Sequence, residues 1–141
     1  MEIVILSHSN LAEGLMHAVK MIAGSSNQIH SIGLFDLQDP DEWGKKIDDL
    51  FHKLTGKNII VFVDLFMGTP CNQLMRRLFG HNIKAYTGAN LGMVLEAYVR
   101  AISGCDSFDE YKDILDVGKT SIIDLNEYSL TFTSNTNESD F

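Results

Sequence analysis

The chain alternates short apolar runs with longer stretches of helical periodicity, and this alternation restricts the possible folds more than any other feature. Runs rich in Ile, Val and aromatic residues occur at residues 3–6, 29–35, 58–63 and 83–87. Each is followed by apolar residues spaced three or four apart, as in amphipathic helices. Strands that alternate with helices predict a parallel sheet with helices on both faces. We therefore expect a three-layer α/β/α fold with strand order 2-1-3-4.

Capping residues mark the predicted helix boundaries. Asp39 precedes Pro40 and two acids, which predicts an N-cap with proline in the first turn. A capping box is predicted from Ser107 to Glu110. Five glycines stand where helices should end in a left-handed C-cap: Gly24, Gly56, Gly80, Gly104 and Gly118. The third and fifth helices are predicted from short apolar patterns. The third rests on Leu74 with Leu78, and the fifth on Phe108, Tyr111 and Leu115.

The length of 141 residues is that of one domain. We expect the domain to span residues 1–126, with a short fifth strand at residues 120–125. Residues 127–141 are rich in Thr, Ser and Asn and are expected to form a flexible tail. No apolar run approaches the roughly 18 residues that a membrane span needs, so we expect a cytoplasmic protein.

Charge and cysteine content narrow the classes of partner and cofactor. The formal net charge of −8 argues against nucleic acid, whose phosphates require clustered Lys and Arg. Cys71 and Cys105 are too few for a disulfide framework or a cysteine-rich metal site. We therefore expect no metal site.

Polar residues follow two of the predicted strands directly. His8 ends the first apolar run and Asp64 follows the third. In an open parallel sheet, ligands lie beyond the carboxyl ends of the strands, where the strand order reverses. A carboxylate at one ring nitrogen fixes the histidine tautomer and leaves a lone pair on the other nitrogen. Gly68, Thr69 and Pro70 then begin a helix whose free N–H groups suit an anion, which suggests phosphoryl transfer onto histidine.

Three segments together resemble the IIA component of the mannose, fructose and sorbose family of bacterial sugar phosphotransferase systems. The first is Ser7-His8-Ser9 followed by Leu11-Ala12. The second reads VDLFMGTPCN over residues 63–72, and the third reads TGANLGM over residues 87–93 with a following glutamate at residue 96. They occur in the order that the family has and cover roughly residues 1 to 126.

The resemblance implies a phosphocarrier that needs no cofactor. His8 would accept a phosphoryl group from phospho-HPr and pass it to a separate IIB protein, while IIC and IID subunits in the membrane move the sugar. Asp64 would orient His8. Residues expected to contact the phosphoryl group are Gly68, Thr69, Ser7 and Asn90. The resemblance also implies a homodimer whose subunits exchange a C-terminal strand, and residues 120–125 would form that strand.

The chain departs from the family pattern at three positions. Ser9 and Met67 each replace a glycine, and Gly92 replaces a proline. The Ser9 hydroxyl is expected to cap the first helix. Met67 is expected to restrict the backbone of its loop and to alter the floor of the site.

Three alternatives predict other functions. The phosphotransfer subunit that serves dihydroxyacetone kinase shares the first-strand histidine but lacks the segment from Asp64 to Pro70. A non-catalytic, flavodoxin-like module would need a hydroxyl-rich phosphate loop after the first strand, where residues 7–10 supply only two hydroxyls. A purely structural or regulatory protein would accept no phosphoryl group from HPr.

Overall fold

The computed structural model describes residues 1–138 and has the predicted three-layer α/β/α architecture. The strands are β1 (Glu2–His8), β2 (Ile29–Leu34), β3 (Ile59–Val63) and β4 (Ile83–Tyr86). The helices are α1 (Leu11–Ala23), α2 (Pro40–Lys53), α3 (Thr69–Met75), α4 (Leu91–Ile102), α5 (Ile114–Thr120) and α6 (Leu125–Glu138), with a 3₁₀ turn at Phe108–Tyr111.

The four strands form one parallel sheet in the order β2-β1-β3-β4, which confirms the predicted order. In the register, His8 at the end of β1 pairs with Leu34 at the end of β2. On the other side of β1, Leu6 pairs with Val63 at the end of β3. The carboxyl ends of three strands therefore meet at one edge of the sheet.

Side chains alternate between the two faces of the sheet and build a core on each. Ile3 and Ile5 of β1 face a cluster that includes residues of α1, α4 and α5. Val4 and Leu6 face a second cluster with residues of α2 and α3. Both faces are buried, which explains why β1 and β3 are continuous apolar runs rather than alternating ones.

The predicted caps are largely confirmed. The Asp39 carboxylate accepts the N–H groups of Asp41 and Glu42 at 3.0 and 2.9 Å, so it caps α2. The capping box at Ser107 and Glu110 is present. Gly24, Gly56 and Gly104 have positive φ and stand within three residues of a helix end, whereas Gly80 has a positive φ but lies five residues beyond the end of α3.

The prediction for Gly118 is wrong, because this residue lies within α5 and is buried. A Cβ atom placed on Gly118 would be 2.9 Å from the sulfur of Met93. Glycine is thus explained here by the close packing of α5 on α4 and not by a helix end.

Two helices are shorter than the apolar patterns predict. α3 ends at Met75, so Leu78 lies outside it, although Leu78 still packs on the core. The predicted fifth helix is divided into the 3₁₀ turn and α5, which starts at Ile114. Tyr111 and Ile114 of these two pieces are both buried in one cluster.

The predicted strand at residues 120–125 is also wrong. Thr120 ends α5, and the hydroxyl groups of Thr120 and Ser121 donate to carbonyl groups of the preceding helical turn. The carboxylate of Asp124 then accepts the N–H groups of Asn126 and Glu127, at the start of α6. Hydrogen bonds from these polar side chains favour helix ends over extended backbone. An exchanged strand is therefore not seen in this chain.

The segment predicted as a flexible tail, residues 127–141, is helical up to Glu138, and its last three residues lie outside the described part of the chain. Within residues 1–138, no helix is long and apolar enough to span a membrane. In the same range, no cluster of three or more His, Cys, Asp and Glu residues is arranged to hold a metal ion.

Candidate active site

The site lies where β1 and β3 end side by side. The backbone N–H of Asp64 donates to the carbonyl of Leu6 at 3.2 Å, which extends the β1–β3 pairing by one residue. The N–H of Ser9 donates to the carbonyl of Leu34 at 2.7 Å, which does the same toward β2. Two loops are thus fixed to the sheet on both sides of His8.

His8 and Asp64 are in direct contact, as the sequence predicts. One carboxylate oxygen, Oδ2, accepts the backbone N–H of His8 at 2.9 Å and the ring Nδ1–H at 2.8 Å. The other, Oδ1, accepts the N–H of Leu65 at 2.8 Å. The Asp64 side chain is only 10% exposed, whereas the His8 side chain is 46% exposed.

This geometry assigns different roles to the two ring nitrogens. A carboxylate only accepts hydrogen bonds, so the neutral ring carries its proton on Nδ1 and has a lone pair on Nε2. A second hydrogen bond from the backbone of the same residue restricts the orientation of the pair. Nε2 is therefore the nitrogen available for attack on an electrophile, and the carboxylate would stabilise the positive charge that such an attack places on the ring.

Gly68 lies directly against the His8 ring. A Cβ atom at this position would be 2.8 Å from the ring Cε1 and 3.4 Å from Nε2. The first distance is below a normal carbon–carbon contact of about 3.5–4.0 Å. Glycine is thus the residue that allows the loop after β3 to approach the reactive side of the ring.

If His8 accepts a phosphoryl group as the sequence predicts, Gly68→Ala should slow this transfer by about tenfold or more, because the new methyl group displaces a ring that Asp64 holds in place. The measurement is the rate of His8 phosphorylation, with the melting temperature as a control for folding. Gly14→Ala is a matched control, since a Cβ atom at Gly14 has no neighbouring atom within 4 Å. A normal rate for Gly68→Ala would show that the ring moves freely.

The predicted cradle at the start of α3 is present in part. Within residues 1–138, neither the N–H nor the hydroxyl of Thr69 makes a hydrogen bond, so both are available to an anion. The N–H of Gly68, however, donates to the carbonyl of Leu65 at 3.3 Å. The expectation that the Gly68 amide faces the phosphoryl group is therefore not met, because a turn occupies it.

Ser7 lies behind the site and not at its surface. Its side chain is completely buried. The hydroxyl accepts the N–H of Ala12 at 2.7 Å and donates to the carbonyl of His8 at 3.0 Å. Ser7 thus joins the end of β1 to the first turn of α1, and it positions His8 without facing its ring.

The capping role expected of Ser9 belongs to Ser7. Within residues 1–138, the side chain of Asn10, the residue before α1, makes no capping hydrogen bond, and the side chain of Ser9 makes none to this helix. Ser9 instead has a φ of 49°, and Met67 has a φ of 62°. At both positions the chain keeps a backbone conformation that glycine adopts most easily. Compared with the glycine of the family pattern, Met67 thus adds a side chain to this loop, and its backbone conformation is left-handed.

Asn90 is engaged in the fold. Its side-chain oxygen accepts the N–H of Met93 at 3.1 Å and caps α4, and its amide donates to the carbonyl of Gly118 at 2.9 Å. The structure does not bring this amide to His8. Gly92 is explained by packing, because a Cβ atom there would overlap the hydroxyl oxygen of Ser121.

The loop after β2 also contributes to the site, which the sequence motifs did not indicate. Phe35 and Asp36 line a cavity of about 230 Å³ together with His8, Ser9 and Leu34. Only the strand order could have predicted this contribution, because it places the end of β2 next to the end of β1.

Comparisons with known proteins point to one family and one fold. A family model described as PTS system fructose IIA component matches residues 2–114. The phosphotransferase system component EIIA from Streptococcus agalactiae is 25% identical, with a TM-score of 0.77 over 89% of this chain and 98% of that one. The mannose/sorbose-specific IIA subunit from Enterococcus faecalis is 22% identical, with a TM-score of 0.78 over 87% and 92%. The PTS IIA protein associated with the fucose utilization operon from Streptococcus pneumoniae is 23% identical, with a TM-score of 0.77 over 90% and 94%.

Proposed function

The chain belongs to the PTS system fructose IIA component family, and on that basis we propose that it is a phosphocarrier in which His8 accepts a phosphoryl group from phospho-HPr and passes it to a separate IIB protein. The observation that carries the proposal is the 2.8 Å contact between the Nδ1 of His8 and the carboxylate of Asp64. It leaves Nε2 as an oriented nucleophile on a half-exposed ring at the carboxyl edge of the sheet.

The transfer is a substitution at phosphorus. The Nε2 lone pair of His8 forms the new N–P bond while the N–P bond of the donor phosphohistidine breaks, and the bonding electrons return to the donor imidazole. The same exchange in the next step moves the group from His8 to the acceptor on IIB. Neither step consumes water, a metal or another cofactor.

The test is phosphorylation in a reconstituted mixture. The purified protein is incubated with radiolabelled phosphoenolpyruvate, enzyme I and HPr, and label on the chain is followed before and after acid treatment. We expect HPr-dependent, acid-labile label, and its discharge when IIB is added. Absence of label in a mixture where HPr itself is phosphorylated would reject the proposal.

The remaining parts of the system follow from this role. The IIC and IID subunits would receive the sugar in the membrane and interact with this chain only through IIB. The reaction would take place in the cytoplasm, where HPr is found. The strong negative net charge fits a protein partner better than a nucleic acid.

Thr69→Ala should slow the relay by about tenfold, which corresponds to a loss of roughly 1–2 kcal/mol of transition-state binding. The substitution removes the hydroxyl and keeps the backbone N–H at the start of α3. The rate of His8 phosphorylation is the measurement. Thr69→Ser should keep most of the rate, and an unchanged rate for Thr69→Ala would mean that the hydroxyl does not contact the phosphoryl group.

We expect the protein to be a homodimer in solution. Apolar side chains on the segment from α5 to α6 are exposed in the single chain: Ile122, Ile123, Leu125 and Tyr128. In the part of the chain that the structure describes, the edge strand β4 has no neighbouring strand on its outer side, which leaves backbone groups unpaired. Light scattering at micromolar concentration should give twice the mass of the chain. Ile122→Asp combined with Leu125→Asp should yield a monomer, whereas a monomeric unmodified protein would contradict the prediction.

A further inference from the structure

A network of polar side chains joins α3 to α2. Nε2 of Gln73 donates to Oδ1 of Asp41 at 3.0 Å, and Oε1 of Gln73 accepts from Nη1 of Arg77 at 2.7 Å. The guanidinium of Arg77 also donates to both carboxylate oxygens of Asp48, from Nε at 2.6 Å and from Nη2 at 3.0 Å. Gln73 in α3 and Arg77 just after it are thus bonded to each other and to two acids of α2.

The centre of this network is buried. Gln73 is 4% exposed, and the side chain of Arg77 is 17% exposed. Within residues 1–138, the buried polar side chains are those of Gln73 and Ser7, and Ser7 lies next to His8 in the chain. An amide in the core is costly unless its hydrogen bonds are made, and an apolar side chain would fill the same space without that cost. Packing alone therefore does not explain the glutamine.

A glycine in α2 allows the network to form. Gly44 lies inside α2, where glycine is less favourable than almost any other residue. A Cβ atom at Gly44 would be 2.6 Å from Nη2 of Arg77, and it would also overlap Oε1 of Gln73. α2 thus has an unfavourable residue at the point where these two side chains cross it.

α3 connects the network to the ring of His8. Asn72, the neighbour of Gln73, donates its backbone N–H to the carbonyl of Gly68 at 2.9 Å and its side-chain amide to the carbonyl of Met67 at 3.2 Å. Gly68 in turn lies against the ring of His8. A displacement of α3 would therefore move Gly68 relative to the ring.

The position of α3 depends on its contacts with the rest of the chain. It has seven residues, and a helix of this length has little stability of its own. Cys71 and Leu74 pack in the same apolar cluster as Trp43 and Ile47 of α2. Apolar contacts are not directional, and packed helices can slide on one another by small amounts. Hydrogen bonds restrict both distance and angle, so the polar network supplies the directional contacts between the two helices.

We propose that Gln73 is a positioning residue for phosphoryl transfer: it fixes α3 on α2 and so keeps Gly68 against the ring of His8. This inference rests on the proposed function. Asp64 holds the ring through Nδ1, whereas Gly68 limits its movement on the side of Cε1 and Nε2. A reacting group that is misplaced by about 1 Å can lose 100-fold in rate, and we expect a smaller loss here because Asp64 is unchanged.

The first test is Gln73→Leu in the full chain, which removes the amide and keeps a side chain of similar size. Single turnovers at a series of phospho-HPr concentrations separate the maximal rate of His8 phosphorylation from the apparent affinity. We expect the maximal rate to fall by about tenfold at unchanged affinity. The ¹⁵N resonances of the His8 ring should also shift in the protein alone, because the contact of the ring with Gly68 changes.

A paired substitution tests the hydrogen bond itself. Gln73→Glu places a second carboxylate beside Asp41 and should lower the maximal rate as leucine does. When Gln73→Glu is combined with Asp41→Asn, donor and acceptor exchange places, because the asparagine amide donates to the glutamate. The pair should therefore restore most of the rate and the original ring resonances.

Gly44→Ala tests the same network from α2. Alanine is more favourable than glycine inside a helix, but its methyl group would displace the side chains of Gln73 and Arg77. We expect a lower maximal rate and shifted His8 resonances although no hydrogen-bonding group is removed. Gly14→Ala in α1 is the matched control, since a Cβ atom there has no neighbour within 4 Å.

Gln28→Leu is the control for a general loss of stability. Nε2 of Gln28 also donates to two acceptors, the carbonyls of Met1 and Ala101 at 3.1 and 3.2 Å. Gln28 precedes β2 and so lies at the edge of the sheet opposite His8. This variant should lower the melting temperature and leave the maximal rate and the His8 resonances unchanged.

Several results would overturn the inference. Unchanged maximal rates and ring resonances in Gln73→Leu and Gly44→Ala would do so, as would an equal loss of rate in Gln28→Leu. Weaker affinity at an unchanged maximal rate would assign Gln73 to partner binding. No recovery in the pair of Gln73→Glu with Asp41→Asn would exclude the hydrogen bond as the cause. If the unmodified protein accepts no phosphoryl group from phospho-HPr, the proposed function is rejected, whereas the ring resonances still report whether Gln73 positions His8.

Discussion

His8→Ala should abolish acid-labile phosphorylation of the chain completely. The proposed reaction forms its new bond at Nε2 of His8, and alanine has no nucleophile to replace it. Label on the protein after incubation with phosphoenolpyruvate, enzyme I and HPr is the measurement. The loop should survive the substitution, because the backbone N–H of residue 8 still donates to Asp64.

His30 supplies a matched control. Its ring Nε2 is 2.8 Å from the carboxylate of Glu2, the same distance that separates His8 from Asp64. His30 lies near the start of β2, however, at the opposite edge of the sheet, and its side chain is 26% exposed. His30→Ala should therefore be labelled like the unmodified protein. Label on any other histidine in the His8→Ala variant would refute the assignment.

The fold could be predicted because its main signals are local. Apolar runs of strand length that alternate with amphipathic stretches are compatible with few arrangements other than a parallel sheet between helices. The meeting of His8 and Asp64 followed from topology, since both residues come directly after strands that are neighbours in the predicted order. Their separation of 56 positions along the chain does not by itself predict that they are in contact.

The details that escaped prediction depend on side-chain contacts. Ser7 was expected at the surface, although the period of two along β1 places it on the same face as the buried Ile3 and Ile5. The segment at residues 120–125 contains β-branched residues typical of strands, but hydroxyl groups that bond to the preceding helical turn outweigh that preference. The position of Gly118 inside a helix could not be predicted, because its glycine is explained by contact with Met93 on another helix.

Backbone conformation at the site was also outside the reach of sequence patterns. Leu37 and Met67 are not residues that predict a left-handed turn, and Leu37 belonged to no motif. The register of the sheet places their loops after the two strands that flank β1, the strand that carries His8.

Asp64→Asn should slow phosphoryl transfer by about 100-fold without abolishing it. The carboxylate accepts three N–H groups: the backbone and ring of His8 through one oxygen, and the backbone of Leu65 through the other. An asparagine has one oxygen, so its NH₂ group faces an N–H donor whichever way the amide is turned. The ring then loses its fixed orientation, and misplaced geometry of this kind costs about 100-fold in rate.

Asp36→Asn separates orientation from charge. Asp36 also lies beside His8 and loses the same charge on substitution, but no hydrogen bond joins it to the ring within the described residues. If Asp64 acts mainly by orienting the imidazole, Asp36→Asn should change the maximal rate by less than about threefold. An equal loss of rate in Asp36→Asn and Asp64→Asn would show that the negative charge of the carboxylates sets the rate and that the hydrogen bond to the ring does not. A rate for Asp64→Asn as low as that of His8→Ala would mean that the carboxylate is indispensable to the chemical step, because Nε2 is still present in that variant.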